Sequence, residues 1–370
     1  MNIKGFFLQG ATAAVLLLGA VAAQAGSSGA AYTMTNAPDD NQIVVFSRDA
    51  QGLLTKTDMV STGGKGSGGG VDPLASQGSL VLARDGDDHD GHHRNGQWLL
   101  AVNAGSNDVS VFRVRPNGIV LSDRTGSGGT FPVSVTASGD RVYVLNNGEP
   151  ANITGFKLDD HGHLHALAHS TRLLGAGSYG QVAFDPRGKS LTVVDKANDR
   201  ILVYPLHGHG LPAATPVISP SSGNVPFGVA FDKHGHLLVV EAGSNAVSSY
   251  RMLHDGSLQT ISASVANGQA ATCWIAVNRR GEVFTTNPGT HSLSAFHVAA
   301  TGQVGLLNGA AGSGDAPLDI DITGNGRFAY AVDPANGGVD MFRIGHDGSL
   351  TGMGSVAAGL AIYAQGMAVR

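Results

Sequence analysis

The sequence has few cysteines to cross-link the chain and few charged residues to bind charged partners. Its 370 residues include one cysteine, Cys273, so no disulfide can form within the chain. Only 14% of the residues are charged and the net charge is −5. No Lys/Arg cluster offers a surface that could track phosphates, which argues against nucleic-acid binding. Long amphipathic helical runs are also absent, so a large packed β core has to stabilise the chain.

What the sequence does contain is glycine and short apolar runs. There are 54 glycines, and runs of Val, Ile, Leu, Phe and Tyr are separated by Gly, Asn, Asp and Pro. Turns such as Asp160–Gly162 and Asp255–Ser257 need backbone conformations that Gly and Asn adopt easily. The pattern predicts an all-β protein with many tight turns.

An internal repeat predicts the architecture. Seven segments begin with an apolar strand, continue through a polar turn and end on an aromatic residue; the aromatics are Phe46, Phe112, Phe156, Tyr204, Tyr250, Phe296 and Phe342. They lie 66, 44, 48, 46, 46 and 46 residues apart. A period near 46 accommodates four short strands with their turns, which is one blade of a β-propeller. The longer first interval contains insertions near residues 63–70 and 85–96.

The strands within a unit, here called A to D from the channel outwards, can be assigned from one example. Phe131–Val135 is predicted as strand A, Arg141–Leu145 as strand B and Ile153–Leu158 as strand C. The segment from Ala31 matches strand B, and Gly366–Arg370 matches strand A. We therefore expect a seven-bladed, all-β propeller with four-stranded blades, closed by the C-terminal strand joining the first blade.

The N-terminus is predicted to be a signal peptide. Lys4 precedes an almost wholly apolar run from Phe6 to Ala23, and Ala23–Ala25 fits the small-residue cleavage pattern. A membrane anchor is the alternative, but no basic stop-transfer cluster follows the run. We expect residues 1–25 to be removed and residues 26–370 to form a single propeller domain that is periplasmic or secreted.

Two segments show a resemblance to a known family. Phe184–Asp195 and Val239–Val247 resemble the lactonase-type seven-bladed propellers, which include 6-phosphogluconolactonase-like and carboxymuconate cyclase-like enzymes. The resemblance implies a lactone hydrolase or related isomerase that works in a central funnel. Its usual His would fall on Gly180, its Arg-His pair on Phe227-Gly228 and its acidic residue near Glu241 or Ala242.

The B–C and D–A loops of a propeller cluster on one face and line the funnel. The candidates there for substrate binding are Asn103, Asn146, Glu149, Tyr179, Gln181, Asp195, Asn287, Asp333 and Tyr363, with Glu241 and His291 as candidate catalytic residues. Six of them occupy one repeated position after strand B. Their side chains either bond their own turns or face the pore as a ring of amides and carboxylates. In the second case Asp195, Glu241 and Asp333 would suit a hard cation such as Ca²⁺, although lactone hydrolysis requires no cofactor.

Histidines are predicted to crowd the opposite face, where the A–B and C–D turns lie. His89, His92 and His93 fall in one insertion together with several aspartates. They are candidate metal ligands, because imidazole and carboxylate groups bind divalent metals, but the segment matches no defined metal motif. The alternative is a set of solvated turn residues.

Three classes of function therefore stay open from the sequence alone. The chain is a lactone hydrolase or isomerase, a non-catalytic propeller that binds a small molecule or a protein at the funnel face, or a metal-handling protein that uses its His-rich face. We expect a monomer with no nucleic-acid partner and no membrane insertion after signal cleavage.

The signal-peptide assignment makes a direct prediction. Protein recovered from the periplasm or the medium should begin near Gly26, as N-terminal sequencing or intact mass will show. A membrane-bound product that retains Met1 would contradict the assignment.

Overall fold

The computed structural model describes Met1, residues 28–84 and residues 97–370. The predicted signal peptide and the candidate metal ligands His89, His92 and His93 lie outside the described residues. No helix among the described residues is long and apolar enough to cross a bilayer.

Seven antiparallel sheets form the blades of a β-propeller, as the repeat predicted. The innermost strands, A, are β4 (Leu80–Arg84), β8 (Pro132–Ser138), β13 (Tyr179–Phe184), β18 (Pro226–Phe231), β22 (Trp274–Val277), β26 (Ile320–Ile322) and β30 (Gln365–Val369). The next strands, B, are β1 (Gly29–Met34), β5 (Gln97–Asn103), β9 (Arg141–Asn146), β14 (Ser190–Asp195), β19 (Leu237–Glu241), β23 (Glu282–Asn287) and β27 (Phe328–Asp333).

The two outer positions of each blade complete the sheets. Strands C are β2 (Gln42–Arg48), β6 (Asp108–Arg115), β10 (Asn152–Leu158), β15 (Arg200–His207), β20 (Ala246–Met252), β24 (Ser292–Val298) and β28 (Gly338–Ile344). Strands D are β3 (Leu54–Ser61), β7 (Gly118–Gly126), β21 (Leu258–Ala266), β25 (Val304–Ser313) and β29 (Leu350–Ala357); two pieces form strand D in blade 3, β11 (Leu164–Ala166) and β12 (Arg172–Leu173), and in blade 4, β16 (Leu211–Pro212) and β17 (Val217–Pro220).

The core lies between neighbouring blades. The seven repeated aromatics are all buried, at 0–3% exposure. They sit in strands C and pack where one blade faces the next, so each blade covers the apolar face of its neighbour. Strand D of each blade is the solvated outer edge; in β3 only Leu54 is buried. Apolar burial therefore follows the repeat, and no single blade has a core of its own.

The C-terminal strand closes the ring. Strand β30 pairs antiparallel with β1, with Tyr32 opposite Ala368 and Ala31 opposite Val369. The Arg370 amide also donates to the Ala30 carbonyl at 2.8 Å. The first blade thus combines the two ends of the described chain, as predicted, and the ring has no open gap through which two blades could separate.

Removing Gly366–Arg370 should lower the free energy of unfolding by several kcal/mol. The deletion strips blade 1 of its innermost strand and leaves the hydrogen-bonding edge of β1 unpaired. Thermal unfolding of the mature protein will measure the loss, with Arg370→Ala as the control because it keeps the backbone of β30. An unchanged melting temperature in the truncated protein would show that β30 does not close the ring.

Candidate functional site in the central channel

The repeated polar residues at the ends of strands B are all buried. Asn103, Asn146, Asp195, Glu241, Asn287 and Asp333 are each 0% exposed. Glu241 shows what they do. One oxygen accepts from the Gly223 amide at 2.7 Å and the Ser248 hydroxyl at 2.6 Å, and the other accepts from Ser264 at 2.5 Å. Its carboxylate joins strand B to strands C and D and to the segment that leads from blade 4 into its own blade.

The other blades repeat this arrangement. Asn287 accepts from Thr272 at 2.7 Å and donates to Ser294 at 2.9 Å, and Asn103 accepts from Thr62 and donates to Ser110, both at 2.8 Å. Asp195 bonds Arg200 of its own blade at 2.6 Å. These contacts correspond to the interpretation in which each side chain bonds its own blade. The ring of pore-facing ligands and the shared Ca²⁺ site have no geometric support here.

The remaining residues predicted for this face are scattered. His291 is exposed, has a left-handed backbone with φ 55°, and its ring Nδ1 contacts the Asp315 carbonyl. Tyr179 is buried and donates to the Leu174 carbonyl at 2.6 Å, and burial raises the pKa of its phenol to about 12. Glu149 is exposed and Tyr363 is half-buried. Because Glu241 is enclosed in blade 5, the catalytic pairing of Glu241 with His291 is unsupported by this geometry.

Gln181 is the predicted residue that does face the central channel. Its Oε1 accepts from the Val229 amide of the next blade at 2.6 Å. Ser134 and Thr136 make the same kind of bond one blade earlier, to the amides of Val182 at 3.3 Å and Phe184 at 3.2 Å. Side chains of one innermost strand thus bond the free inner edge of the following one.

A segment of the first D–A connection fills the funnel side of the channel. We call residues 72–78 the plug. Its Ser76 hydroxyl donates to the Val133 carbonyl at 2.8 Å, and its Ser76 carbonyl accepts from the Trp274 indole at 2.9 Å. The Leu74 amide donates to Gln365 at 3.0 Å, and the Lys196 ammonium contacts the Ala75 carbonyl. The plug is therefore fixed to innermost strands, or to residues beside them, around the ring.

Gln77 attaches the plug to strand A of blade 6 through two hydrogen bonds. Its Oε1 accepts from the Ile275 amide at 2.9 Å, and its Nε2 donates to the Ile275 carbonyl at 3.0 Å. In blade 5 the position equivalent to Gln181 is Gly228, which has no side chain to offer. Gln77 supplies from the plug the bond that Gly228 cannot make.

The glycines at the family's usual reactive positions make room for this arrangement. A Cβ at Gly228 would lie 2.4 Å from Oε1 of Gln77 and 2.8 Å from the Cys273 carbonyl. A Cβ at Gly180 would lie 2.6 Å from the Phe227 carbonyl. The Phe227 ring packs edge-on against Trp274 at 5.2 Å and lies 5.1 Å from the Lys196 ammonium. Neither glycine therefore has space for a side chain, because Gln77 of the plug and the backbone of neighbouring innermost strands lie in the way.

Three buried carboxyl groups lie in or near the channel: Asp72 is part of the plug, and Asp319 and Asp321 lie on the side of it that faces the A–B turns. Burial, reinforced by the charge of Asp319, raises the pKa of Asp72 to about 7. Burial alone raises the pKa of Asp319 to about 7 and that of Asp321 to about 6. Burial lowers the pKa of the Lys196 ammonium, and its charge in turn favours the ionised form of Asp72. This cluster was not predicted from the sequence; the signal for it was the pair Asp319 and Asp321 at the start of an apolar inner strand.

An open cavity remains on the far side of the plug, towards the A–B turns. It has a volume of about 400 Å³, and its polar lining is formed by Gln77, Gln97, Gln181, Asp319 and Asp321. One carboxyl oxygen of Asp319 has no hydrogen-bond partner among the described residues. Asp321 is committed to the ring, because its Oδ2 accepts from the Val369 amide at 2.8 Å. Asp319 thus lines the cavity and carries a buried carboxyl oxygen without a hydrogen-bond partner beside it.

Two other predicted features can be placed. Cys273 is buried next to β22 and burial raises the pKa of its thiol to about 12, as expected for an inert core cysteine. His161, His163 and His165 surround Asp159, with His165 Nε2 at 2.9 Å from its carboxylate. Across residues 28–84 and 97–370, no group of three or more His, Cys, Asp or Glu side chains is arranged to hold a metal ion.

The fold and channel define a closed seven-bladed propeller with a self-filled funnel, and comparison with known proteins gives its family. The sequence model described as "Lactonase, 7-bladed beta-propeller" matches residues 178–361, which span blades 4 to 7. The chain is a lactonase-type seven-bladed propeller, as its sequence indicated. No curated protein sequence matches the chain.

Solved structures share the fold at low sequence identity. A putative 6-phosphogluconolactonase from Bacteroides uniformis has a TM-score of 0.70 and 16% identity, and the alignment covers 91% of this chain and 99% of the other. A protein from Lactobacillus plantarum has a TM-score of 0.70 and 15% identity, covering 92% and 99%. The periplasmic gluconolactonase PpgL of Pseudomonas aeruginosa has a TM-score of 0.68 and 14% identity, covering 92% and 99%.

Replacing Gln77 with alanine should loosen the plug. The change leaves the amide and carbonyl of Ile275 without their partners, which costs about 1–3 kcal/mol at a buried site. Thermal unfolding will measure the loss, and amide exchange at Ile275 should accelerate. Gln259→Ala, at an exposed position of strand D, is the matched control. Equal stability of the two variants would mean that Gln77 is not an anchor.

Proposed function

We propose that this chain is an exported lactone hydrolase whose reacting site is the channel cavity on the A–B side of the plug. The observation that carries the proposal is the Asp319 carboxyl group. It is 3% exposed, has one unpartnered oxygen, lines a cavity of about 400 Å³ and has a pKa near 7. A carboxyl group with a pKa near the working pH is suited to general-base catalysis.

The roles follow from the lining of the cavity. The Asp319 carboxylate takes a proton from a water molecule, and the oxygen of that water forms a bond to the lactone carbonyl carbon. The ring C–O bond then breaks, and the proton passes to the departing alkoxide oxygen, so that the product is an open hydroxy acid. Gln181 lines the same cavity, and its Nε2 is the amide donor available for the developing oxyanion, since its Oε1 is bonded to Val229.

The electrostatics of the cavity favour an uncharged lactone. Two carboxyl groups, Asp319 and Asp321, line it, and none of its described lining residues is Lys, Arg or His. A phosphorylated or carboxylated lactone would bring a negative charge beside two acids, which opposes binding. A neutral polyhydroxylated ring would instead match the glutamine side chains.

Export and family support the same proposal from outside the site. The predicted signal peptide would send the chain to the periplasm or the medium, and the structurally similar PpgL is named as a periplasmic gluconolactonase. Family membership favours lactone chemistry, while the filled funnel directs the substrate to the A–B side.

Asp319→Asn should lower kcat on neutral lactones by about 10²–10⁴-fold, the contribution typical of a general base. In the wild type kcat should rise with pH and level off above about 7, because Asp319 has to be ionised to accept the proton. Hydrolysis is followed by acid release against a panel of neutral lactones. Asp39→Asn, an exposed carboxyl, is the matched control, and circular dichroism checks the fold of each variant.

The same assay separates the competing hypotheses. If His291→Ala abolishes hydrolysis while Asp319→Asn does not, the reaction occurs on the funnel face and the proposal is wrong. If no lactone is hydrolysed by the wild type, the chain is a non-catalytic binding propeller, the alternative that the filled funnel favours. Calorimetry with the same lactones then tests binding without turnover.

A further inference from the structure

A second cavity lies on the A–B and C–D face, between blades 3 and 4. It has a volume of about 580 Å³, and we call it the basic cleft. Its charged lining residues are Arg141, Lys157, Lys189 and Asp140, with His207 at its edge. Three permanent cations therefore face one carboxylate in a concave space. The overall charge of the chain is negative, so the cleft is a local reversal of sign.

The cations of the cleft are incompletely neutralised. Lys157 lies 3.7 Å from Asp140, and both side chains are more than half exposed, so this pair is weak and screened by solvent. Arg141 and Lys189 form no ion pair with a carboxylate in the described part of the chain. Because two cations are left without a counter-charge, the cleft attracts a ligand group that carries two negative charges.

Two glycines of blade 4 leave room for the Arg141 side chain. A Cβ at Gly210 would lie 2.2 Å from Cδ of Arg141, and a Cβ at Gly188 would lie 3.5 Å from its Nη2. Both glycines have positive φ, +77° and +62°, so other residues would be strained there. Arg141 thus lies half-buried at the boundary between the blades and lines the cleft, and a guanidinium can bond two oxygens of an oxyanion at once.

We propose that the basic cleft binds the phosphate group of a small phosphorylated molecule. Arg141 contacts two phosphate oxygens through its fork, and Lys189 and Lys157 approach from the sides as point charges. A cavity of about 580 Å³ exceeds what a phosphate ion fills, so it has room for an attached sugar-sized group. The site lies on blades 3 and 4, away from Asp319 on blade 7, and does not depend on the proposed hydrolase activity.

Calorimetry of the mature protein at low ionic strength tests the proposal with glucose 6-phosphate, inorganic phosphate and glucose as probes. We expect binding of glucose 6-phosphate, weaker binding of inorganic phosphate and no binding of glucose. Arg141→Gln and Lys189→Gln should each weaken glucose 6-phosphate binding about tenfold or more, since each removes a charge-assisted contact. Lys233→Gln, in the matching A–B turn of blade 5, should leave the affinity unchanged.

Two results would overturn the proposal. The first is the absence of heat with both phosphate probes up to millimolar concentration. The second is binding that Lys233→Gln weakens as much as Lys189→Gln does, because the anion would then be attracted by the face in general. Lys189 is exposed, so its substitution keeps the test valid even if the half-buried Arg141 proves necessary for folding.

Discussion

The unpaired inner edges of the seven innermost strands are the constraint on which the channel depends. Each of these strands pairs with strand B on one side and faces the channel on the other, where its amides and carbonyls need partners. Side chains supply several of them across the blade boundary, from Ser134 and Thr136 to β13, from Gln181 to β18 and from Asp321 to β30. The first role of these polar side chains in the channel is therefore to satisfy the backbone groups of the innermost strands.

The plug follows from that constraint. Blade 5 carries Gly228 where blade 4 carries Gln181, and the inner edge of β22 would be left without a side-chain partner. Gln77 fills this position from a distant part of the sequence, and Lys196 and Gln365 hold the segment that carries it. Gly228 and Gln77 are thus complementary, because the plug supplies the side chain that strand A of blade 5 lacks.

The same constraint explains why carboxyl groups are kept in the channel. Asp321 bonds the strand that closes the ring, and Asp319, two residues earlier, lies beside Gly366 of the same strand. Both carboxyl groups are buried where blade 7 meets blade 1, and this burial raises the pKa of both. The two neighbouring acids thus differ: Asp321 bonds the closing strand, whereas Asp319 keeps one carboxyl oxygen unpartnered.

The sequence by itself determined the number of blades, the order of strands within them and the closure by the C-terminal strand. These features depend on local periodicity and on turn residues, which are visible along the chain. Strand A was predicted to begin at Phe131 but begins at Pro132. Phe131 has a positive φ of 54°, a conformation that its residue type does not predict. The sequence also identified the repeated polar position after strand B, but left open which way those side chains face.

Only the tertiary structure decided where the functional groups lie. The sequence left open whether Glu241 and Asn287 bond their own turns or face the pore, and in the structure neighbouring strands and loops enclose them. Asp72 and Gln77 of the plug, Lys196 and Asp319 come from three separate parts of the chain, and no spacing rule connects those parts. Their meeting in the channel depends on the ring closing around an inserted segment, which is a long-range packing event with no local pattern in the sequence.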